Sequence, residues 1–365
     1  MRGKQVQQSQ VKAKAKLSPW ASALGSLAAG LALGLWLSPP AHSAQGAAAD
    51  QAQQTVPPSV RTVAVRAPSN GLSRPLLLCD EPADVGGELT NVRTSLQREI
   101  DAAKAAGRAS HVSVYLRDLD RGRWFEIEAE TRYRPASLLK VPLLIAWLQQ
   151  AQHEPGLLER QLRWDPPREL QLHDDPNMPG ALEVGKSYKV RDLLEKMIIW
   201  SRNDAKFLLA AFIDPHKVDE TYLALGVPPI YPHPDTPGPS EEITLNVGQM
   251  GRFFRLLYNA SWLDRAQSDL ALEMMTHTEF HDGLTAGLPP GTKFSHKFGI
   301  RIARAADEVP APPSEAEQLH DCGIVYAPNS PYLLCVMTKG RDHSGLVKVL
   351  KRVSAATWLA MMAEK

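Results

Sequence analysis

Strand-like and helix-like residue patterns occur in separate blocks along this chain. Segments 112–116 and 125–129 alternate apolar and polar residues, as half-buried strands do, and the turn between them predicts a hairpin. Strand patterns return only near the C-terminus, at 291–300, 322–327 and 332–338. Because strands from both ends can pair in one antiparallel sheet, the chain is predicted to have an α+β fold.

The long stretch between the two groups of strands is predicted to be helical. Its candidate helices are 137–152, 190–200, 204–213, 217–225, 247–259 and 266–276. The proline-dense segment 228–239 interrupts this stretch and must be a loop.

Amphipathic helices are also predicted at the two ends of the folded region, over 88–107 and 343–364. Apolar residues recur on one face of each at helical spacing. They are Leu89, Val92, Leu96 and Ile100 in the first, and Leu346, Val349, Leu350, Val353 and Leu359 in the second.

These elements predict a single folded region over 88–365 with two parts. The α/β part, 88–135 and 289–365, has an antiparallel sheet flanked by the terminal helices. The all-helical second domain is 136–288. The crevice between the parts is where a ligand is expected.

The N-terminal segment 1–44 has the organisation of a signal peptide or a membrane anchor. Five Lys and Arg residues lie within the first 16 positions, and an uncharged apolar run over 20–37 follows them. Small residues at 41–44 make cleavage after Ser43 or Ala44 plausible, whereas the length of the apolar run also suits an uncleaved anchor. We expect the protein to be exported, to the periplasm or the cell exterior, with attachment to the inner membrane if the segment is retained. Segment 45–87 is expected to be a disordered linker.

Composition excludes several classes of function. The net charge of +1 does not suggest a nucleic-acid partner, which would normally leave an excess of basic residues. His277 and His281 do not match the H-E-x-x-H pattern of a zinc protease, and neither a metal nor a cofactor is expected. Of the three cysteines, Cys322 and Cys335 flank the turn between the last two predicted strands, so a disulfide could join them in an exported protein, while the state of Cys79 is open.

The first candidate for chemistry is the pair Ser137 and Lys140. Residues three apart share a helical face, so the amine can reach the hydroxyl and act as its base. The N-terminus of a helix also offers free N–H groups to an oxyanion. The pattern is common, since Ser9 and Lys12 repeat it, and an ordinary helix start with a serine cap is the plainer interpretation.

Two more short motifs follow. Ser201 and Asn203 come directly after a predicted helix, where they could relay a proton and donate to a substrate carbonyl, although a Ser/Asn helix cap explains them equally well. Lys297 and Gly299 lie on a predicted strand, where the lysine could attract a substrate carboxylate and the glycine could admit a substrate backbone. An edge-strand lysine that discourages aggregation is the alternative.

In order and spacing, these motifs resemble the S-x-x-K, S-D-N and K-T-G signatures of class A β-lactamases and penicillin-binding DD-peptidases. The resemblance extends from residue 88 to the C-terminus and implies a β-lactamase/transpeptidase-like fold. It implies that Ser137 is acylated, with Lys140 as base and Ser201 as proton relay. The implied substrate-binding groups are Asn203, Lys297 and Gly299, and the backbone N–H groups of Ser137 and Ile300 form the implied oxyanion hole.

Three positions depart from the family pattern. Arg202 replaces the largely structural aspartate of S-D-N, and Phe298 replaces the hydroxyl residue that helps to bind the substrate carboxylate. Glu242 begins an E-x-x-L-N match to the motif of the deacylating glutamate. However, Thr244 or Asn246 is placed to cap the following helix, which favours a structural role for this segment.

The resulting hypothesis is a serine hydrolase acting on β-lactams or D-Ala-D-Ala-like peptides of peptidoglycan, with slow deacylation. The alternative is a non-catalytic domain of the same fold that binds peptidoglycan or a protein. The intact nucleophile, base and relay residues favour the enzyme, whereas Phe298 and the lack of a clear deacylating glutamate favour the alternative or a different substrate.

Overall fold

A computed structural model describes residues 65–67, 71–78, 89–168, 170, 172, 178–227, 243–303 and 312–364. The predicted N-terminal segment, Cys79, the 228–239 loop and Glu242 lie outside these ranges.

Five strands form the central antiparallel sheet: β3 (His111–Asp118), β4 (Trp124–Ile127), β7 (Phe294–Ile302), β8 (Glu317–Val325) and β9 (Tyr332–Gly340). Their order in the sheet is β4-β3-β9-β8-β7. Strands from both ends of the folded region therefore pair as predicted, with β3 against β9. Two small strand pairs complete the sheets: β1 (Val65–Arg66) with β2 (Leu76–Leu78), and β5 (Gln161–Arg163) with β6 (Ser187–Lys189). The first pair lies in the segment expected to be a disordered linker, so that expectation is wrong for its described residues, where Ser73 is fully buried.

Eight α-helices surround this sheet in the described part of the chain. They are α1 (Thr90–Ala105), α2 (Lys140–His153), α3 (Val190–Ile199), α4 (Asn203–Phe212), α5 (Pro215–Leu223), α6 (Val247–Asn259), α7 (Arg265–Thr276) and α8 (His343–Ala363). Within the described ranges, no helix has the length and apolarity needed to cross a membrane.

One face of the sheet is covered by α1 and α8, which pack against each other. The predicted apolar face of α1 is fully buried there, and four of the five stripe residues predicted for α8 are buried with it. Leu359 is the exception, because it is 70% exposed. It lies six positions after Val353, which turns it about 240° away from the stripe at 3.6 residues per turn.

The opposite face of the sheet packs against the helical part through a second apolar core. At its centre is α2, in which every residue from Lys140 to Leu148 is buried. A helix that is apolar on all sides belongs in the interior of a fold. The predicted arrangement of an antiparallel sheet, flanking terminal helices and a helical part is therefore confirmed.

The structure corrects the predicted start of α2. A 3₁₀ turn, Ala136–Leu139, precedes the helix, which begins only at Lys140. Pro142 supplies a reason, because it has no N–H to donate to the Leu138 carbonyl four residues earlier. Ser137 consequently lies in a tight turn rather than in the first turn of an α-helix.

A disulfide joins Cys322 on β8 to Cys335 on β9, where the two residues are direct cross-strand partners. Both cysteines are fully buried on the face of the sheet that meets the helical part. The bond closes a loop between residues 13 apart in sequence. It therefore restricts the unfolded chain around the β8–β9 hairpin.

We expect the non-reduced, denatured protein to show one free thiol, from Cys79, and the Cys79→Ser variant to show none. Reductant should lower the free energy of unfolding by about 3 kcal/mol, the value for a loop of roughly this length. Thiol titration and urea unfolding measure these quantities. Three free thiols in the wild-type protein would contradict the disulfide.

Candidate active site

The turn before α2 brings Ser137 and Lys140 together. Lys140 Nζ lies 3.1 Å from Ser137 Oγ. The lysine is only 2% exposed, although it is a charged residue type that is seldom fully buried without partners. Ala136, directly before the serine, has a φ of 50°, a left-handed conformation that non-glycine residues rarely adopt. Backbone strain of this kind clusters at functional sites.

Ser201 and Asn203 reach the same lysine from the connection between α3 and α4. Lys140 Nζ lies 3.1 Å from Ser201 Oγ and 2.8 Å from Asn203 Oδ1, and it also contacts the Ser201 carbonyl oxygen. Ser201 has a φ of 55°, so this connection too contains a left-handed residue. The predicted helix–helix connection is confirmed, and it turns both polar side chains towards Lys140.

The amine of Lys140 therefore has more oxygen neighbours than protons. An ammonium group has three N–H donors, whereas four oxygens lie within reach of Nζ. After loss of one proton, two N–H groups still satisfy two of these oxygens, and the lone pair can accept the Ser137 hydroxyl proton.

Strand β7 forms the other side of the site and crosses the serine turn at Gly299. A Cβ atom added to Gly299 would lie 2.5 Å from Pro135 O and 3.3 Å from the backbone nitrogen of Ser137. Only a residue without a side chain permits this approach. The predicted role of Gly299 in a close backbone contact therefore has a structural basis, but its partner is the serine turn.

The sheet geometry shows where the Ile300 N–H points. On β7, Lys293 O accepts from the Tyr326 N–H and Ala303 N–H donates to Ala316 O. In an antiparallel ladder, alternate residues direct their N–H groups towards the partner strand. The register is unbroken along β7, so the backbone N–H groups of its odd-numbered residues point towards β8. The Ile300 N–H therefore points to the open edge of the sheet. Ile300 follows Gly299, the residue at which β7 contacts the serine turn.

Lys297 lies beside the site but is completely buried. Its Nζ donates to the Phe298 carbonyl oxygen at 3.2 Å, and the centroid of the Phe298 ring is only 3.9 Å from Nζ. Burial lowers the pKa of Lys297 well below its usual value, and the charge of Lys140 lowers it further. The structure therefore places the Lys297 amine beneath the Phe298 ring, and its predicted attraction for a substrate carboxylate stays a prediction.

Phe280 is a residue of the site that the sequence motifs did not indicate. Its ring stacks on that of Phe298, with centroids 4.3 Å apart. Phe280 precedes the 3₁₀ turn Leu284–Gly287 and is 18 positions from Phe298. No periodic pattern links two such positions.

Asp204 is a second residue that the motifs missed. Its carboxylate lies 2.7 Å from Arg202 Nη2 and accepts the backbone N–H groups of Leu182 and Ala205. Burial alone raises the pKa of Asp204, but these hydrogen bonds outweigh burial and hold the pKa below its usual value. The ionised pair therefore stabilises the fold at neutral pH, and this stabilisation is lost as the pH falls. Arg202, the departure from S-D-N, thus supports the Ser201–Asn203 connection structurally.

Asn246 caps α6, as the sequence predicts. Its side chain accepts a hydrogen bond from the Gln249 N–H, and the Gln249 side chain accepts one from the Asn246 N–H. Together the two bonds form a capping box. Leu245 pairs with Tyr133 through two backbone hydrogen bonds. The last two residues of the E-x-x-L-N match are therefore committed to structural contacts, while Glu242 itself lies outside the described residues.

A sequence model of the β-lactamase enzyme family matches residues 93–361. This match covers the sheet, the helical part and all three motifs. The chain belongs to this family. A search of curated proteins found no match to the chain.

Solved structures share the fold. A mutant of PBP-A, in an acyl-enzyme complex with penicillin G, has a TM-score of 0.59 at 19% identity, covering 74% of this chain and 97% of that chain. A β-lactamase from Streptosporangium roseum has a TM-score of 0.61 at 21% identity, covering 74% and 99%. One from Xanthomonas campestris pv. campestris has a TM-score of 0.58 at 22% identity, covering 73% and 97%. At these identities the likeness shows the fold, which confirms the β-lactamase-like prediction.

The Gly299→Ala substitution tests whether the contact between β7 and the serine turn positions the site. The added methyl group must push the strand away from Pro135, and a displacement of about 1 Å at reacting groups can lower a rate by about 10²-fold. The measurement is the second-order rate constant of Ser137 acylation by an activated ester, beside the melting temperature.

Gly291→Ala is the matched control. Gly291 has a φ of 78°, but a Cβ atom there would meet nothing within 4 Å. It should lower stability by about 1 kcal/mol without changing the acylation rate. Equal effects of the two substitutions on the rate would contradict the positioning role of Gly299.

Proposed function

We propose that this family member is a serine hydrolase in which Ser137 forms an acyl-enzyme with β-lactams or D-Ala-D-Ala-like peptides. The observation that carries the proposal is the position of Lys140 Nζ, within hydrogen-bond distance of Ser137 Oγ, Ser201 Oγ and Asn203 Oδ1. A nucleophile, a base and a relay that converge on one buried amine are what acyl transfer by a serine requires.

The acylation step follows from these positions. The Ser137 hydroxyl proton passes to neutral Lys140 as Oγ attacks the substrate carbonyl carbon. The negative charge on the carbonyl oxygen is stabilised by the N–H groups of Ser137 and Ile300. The carbon–nitrogen bond then breaks, and the leaving nitrogen receives the proton from Lys140 through the Ser201 hydroxyl. Water later cleaves the ester, releasing an acid and restoring Ser137.

The substrate class is supported by the fold and by one relative. The PBP-A mutant structure is an acyl-enzyme complex with penicillin G, so this fold accommodates such an adduct in that protein. The second candidate function is a non-catalytic domain that binds peptidoglycan or a protein. The ring of Phe298 over Lys297 is the observation that favours it, because it covers a charge that could otherwise attract a substrate.

We also propose that the protein is exported, as expected from segment 1–44. The Cys322–Cys335 disulfide supports this location, since such bonds persist mainly in oxidising compartments. The thiol count described above tests the proposal when it is made on protein trapped by alkylation inside intact cells. Full reduction of all three cysteines there would argue against export.

Incubation with a reporter penicillin or an activated ester should add one acyl group to the protein, on the peptide containing Ser137. Ser137→Ala should abolish the adduct because the nucleophile is lost, and Lys140→Ala should abolish it because the base is lost. Ser344→Ala, a remote and exposed hydroxyl next to the Asp342 cap, is the control and should label normally. An adduct on another residue, or no adduct with any acyl donor, would contradict the enzyme hypothesis.

The acyl-enzyme should persist for minutes or longer after excess penicillin is removed. Acylation needs only groups that the site contains, whereas deacylation needs a second base to activate water. Loss of general-base catalysis lowers the rate of such a step by about 10²–10⁴-fold. Asn246, in the motif of that base, is committed to its helix cap. Glu242→Gln should therefore leave the lifetime nearly unchanged in time-resolved mass spectra.

The opposite result is equally clear. If the adduct disappears within seconds in the wild-type protein and becomes stable in Glu242→Gln, then Glu242 is the deacylating base. The protein would then be an efficient β-lactamase of the class A type.

A further inference from the structure

The edge of β7 next to Ser137 is apolar, and its one lysine is covered by aromatic rings. We propose that the site selects acyl donors whose group beside Phe298 is uncharged, and that Phe298 and Phe280 determine this selectivity. The inference rests on the proposed acylation of Ser137 and specifies which donors acylate it.

The first argument is the cover over Lys297. The Phe298 ring centroid lies 3.9 Å from Nζ, and the Phe280 ring stacks on Phe298, so the ring that covers the amine is itself held by a second ring. Lys297 is fully buried and Phe298 is 7% exposed. A carboxylate could reach Nζ only if it displaced the Phe298 ring. It would also have to leave water, and its contact with Nζ would have to offset that desolvation cost.

The second argument is the charge that already balances Lys297. Asp321, the cross-strand partner of Phe298, is fully buried and acts electrostatically on Lys297. Its own oxygens are occupied by His296 Nδ1 at 2.8 Å and the Leu284 N–H at 3.0 Å. A buried anion nearby weakens the attraction of the lysine for a second one.

The third argument is the surface that β7 presents to a ligand. Phe298, Ile300 and Ile302 alternate along the strand and therefore share one face. Ile300 is 39% exposed and Ile302 is 58% exposed, an unusual exposure for large apolar side chains at the edge of a cleft. These side chains lie on the face opposite to that of Gly299, so a ligand covers them only if it extends around the open edge of β7, and burial of apolar area there favours an uncharged group. Arg301 shares the face of Gly299, towards the serine turn, and is the cation to test against this inference.

The decisive comparison uses two donors that differ only in charge, penicillin G and its methyl ester. We expect the wild-type protein to be acylated on Ser137 by the ester at least as fast as by penicillin G, measured as second-order rate constants from intact mass. A tenfold or greater preference for penicillin G would overturn the inference. Absence of any adduct with both donors would instead contradict the acylation of Ser137 itself.

Variants at Phe298 test whether its ring causes the lack of preference for the charged donor. Phe298→Thr opens the path to Lys297 and supplies a hydroxyl, so the rate ratio should move towards penicillin G by roughly 10- to 100-fold, the range of one hydrogen bond to a charged group. Phe298→Leu keeps an apolar cover and should retain the wild-type ratio. Melting temperatures show whether both variants fold, and the wild-type comparison stands without them.

Two outcomes with the variants would overturn the inference. One is a ratio that Phe298→Thr leaves unchanged in a folded protein. The other is a wild-type preference for penicillin G that Arg301→Gln abolishes, since Arg301 would then recognise the carboxylate.

Discussion

The buried amine of Lys140 holds the candidate site together. A polar group in the interior is tolerated only when other polar groups satisfy it, and here they come from Ser137, Ser201 and Asn203. These residues belong to two separate segments, the turn before α2 and the connection between α3 and α4. Each segment contains a left-handed residue, Ala136 or Ser201, whose strain the surrounding contacts must offset. The lysine that serves as base in the proposed reaction is thus also the group that fixes its partners.

Strand β7 supplies the remaining backbone groups of the candidate site. Gly299 lets the strand cross the serine turn within contact distance, and the unbroken register aims the Ile300 N–H at the open edge. The same strand presents Phe298, whose ring covers Lys297. Ser137 is thus partly exposed at this edge, while the Lys297 amine is hidden. The proposed selectivity for uncharged donors rests on this combination.

The fold was predictable from the sequence where an element depends on residues that are close together in the chain. The apolar face of α1, the alternation in β3 and the capping of α6 by Asn246 each depend on residues within a few positions of one another. The contact of Ser137 with Lys140 was predictable for the same reason, although the turn is 3₁₀ because Pro142 lacks an N–H. The stacking of Phe280 on Phe298 depends on how a loop packs against an edge strand, which no spacing reveals. The Arg202–Asp204 pair was missed because the motif ends at Asn203.

The most direct test of this account is an experimental structure of the protein acylated by penicillin G methyl ester. The account predicts an ester bond to Ser137 Oγ, with the carbonyl oxygen about 2.7–3.1 Å from the backbone nitrogens of both Ser137 and Ile300, the distances of an oxyanion hole. It also predicts that the Phe298 ring remains over Lys297. A carbonyl oxygen turned away from Ile300, or an ester group in contact with an uncovered Lys297, would contradict it.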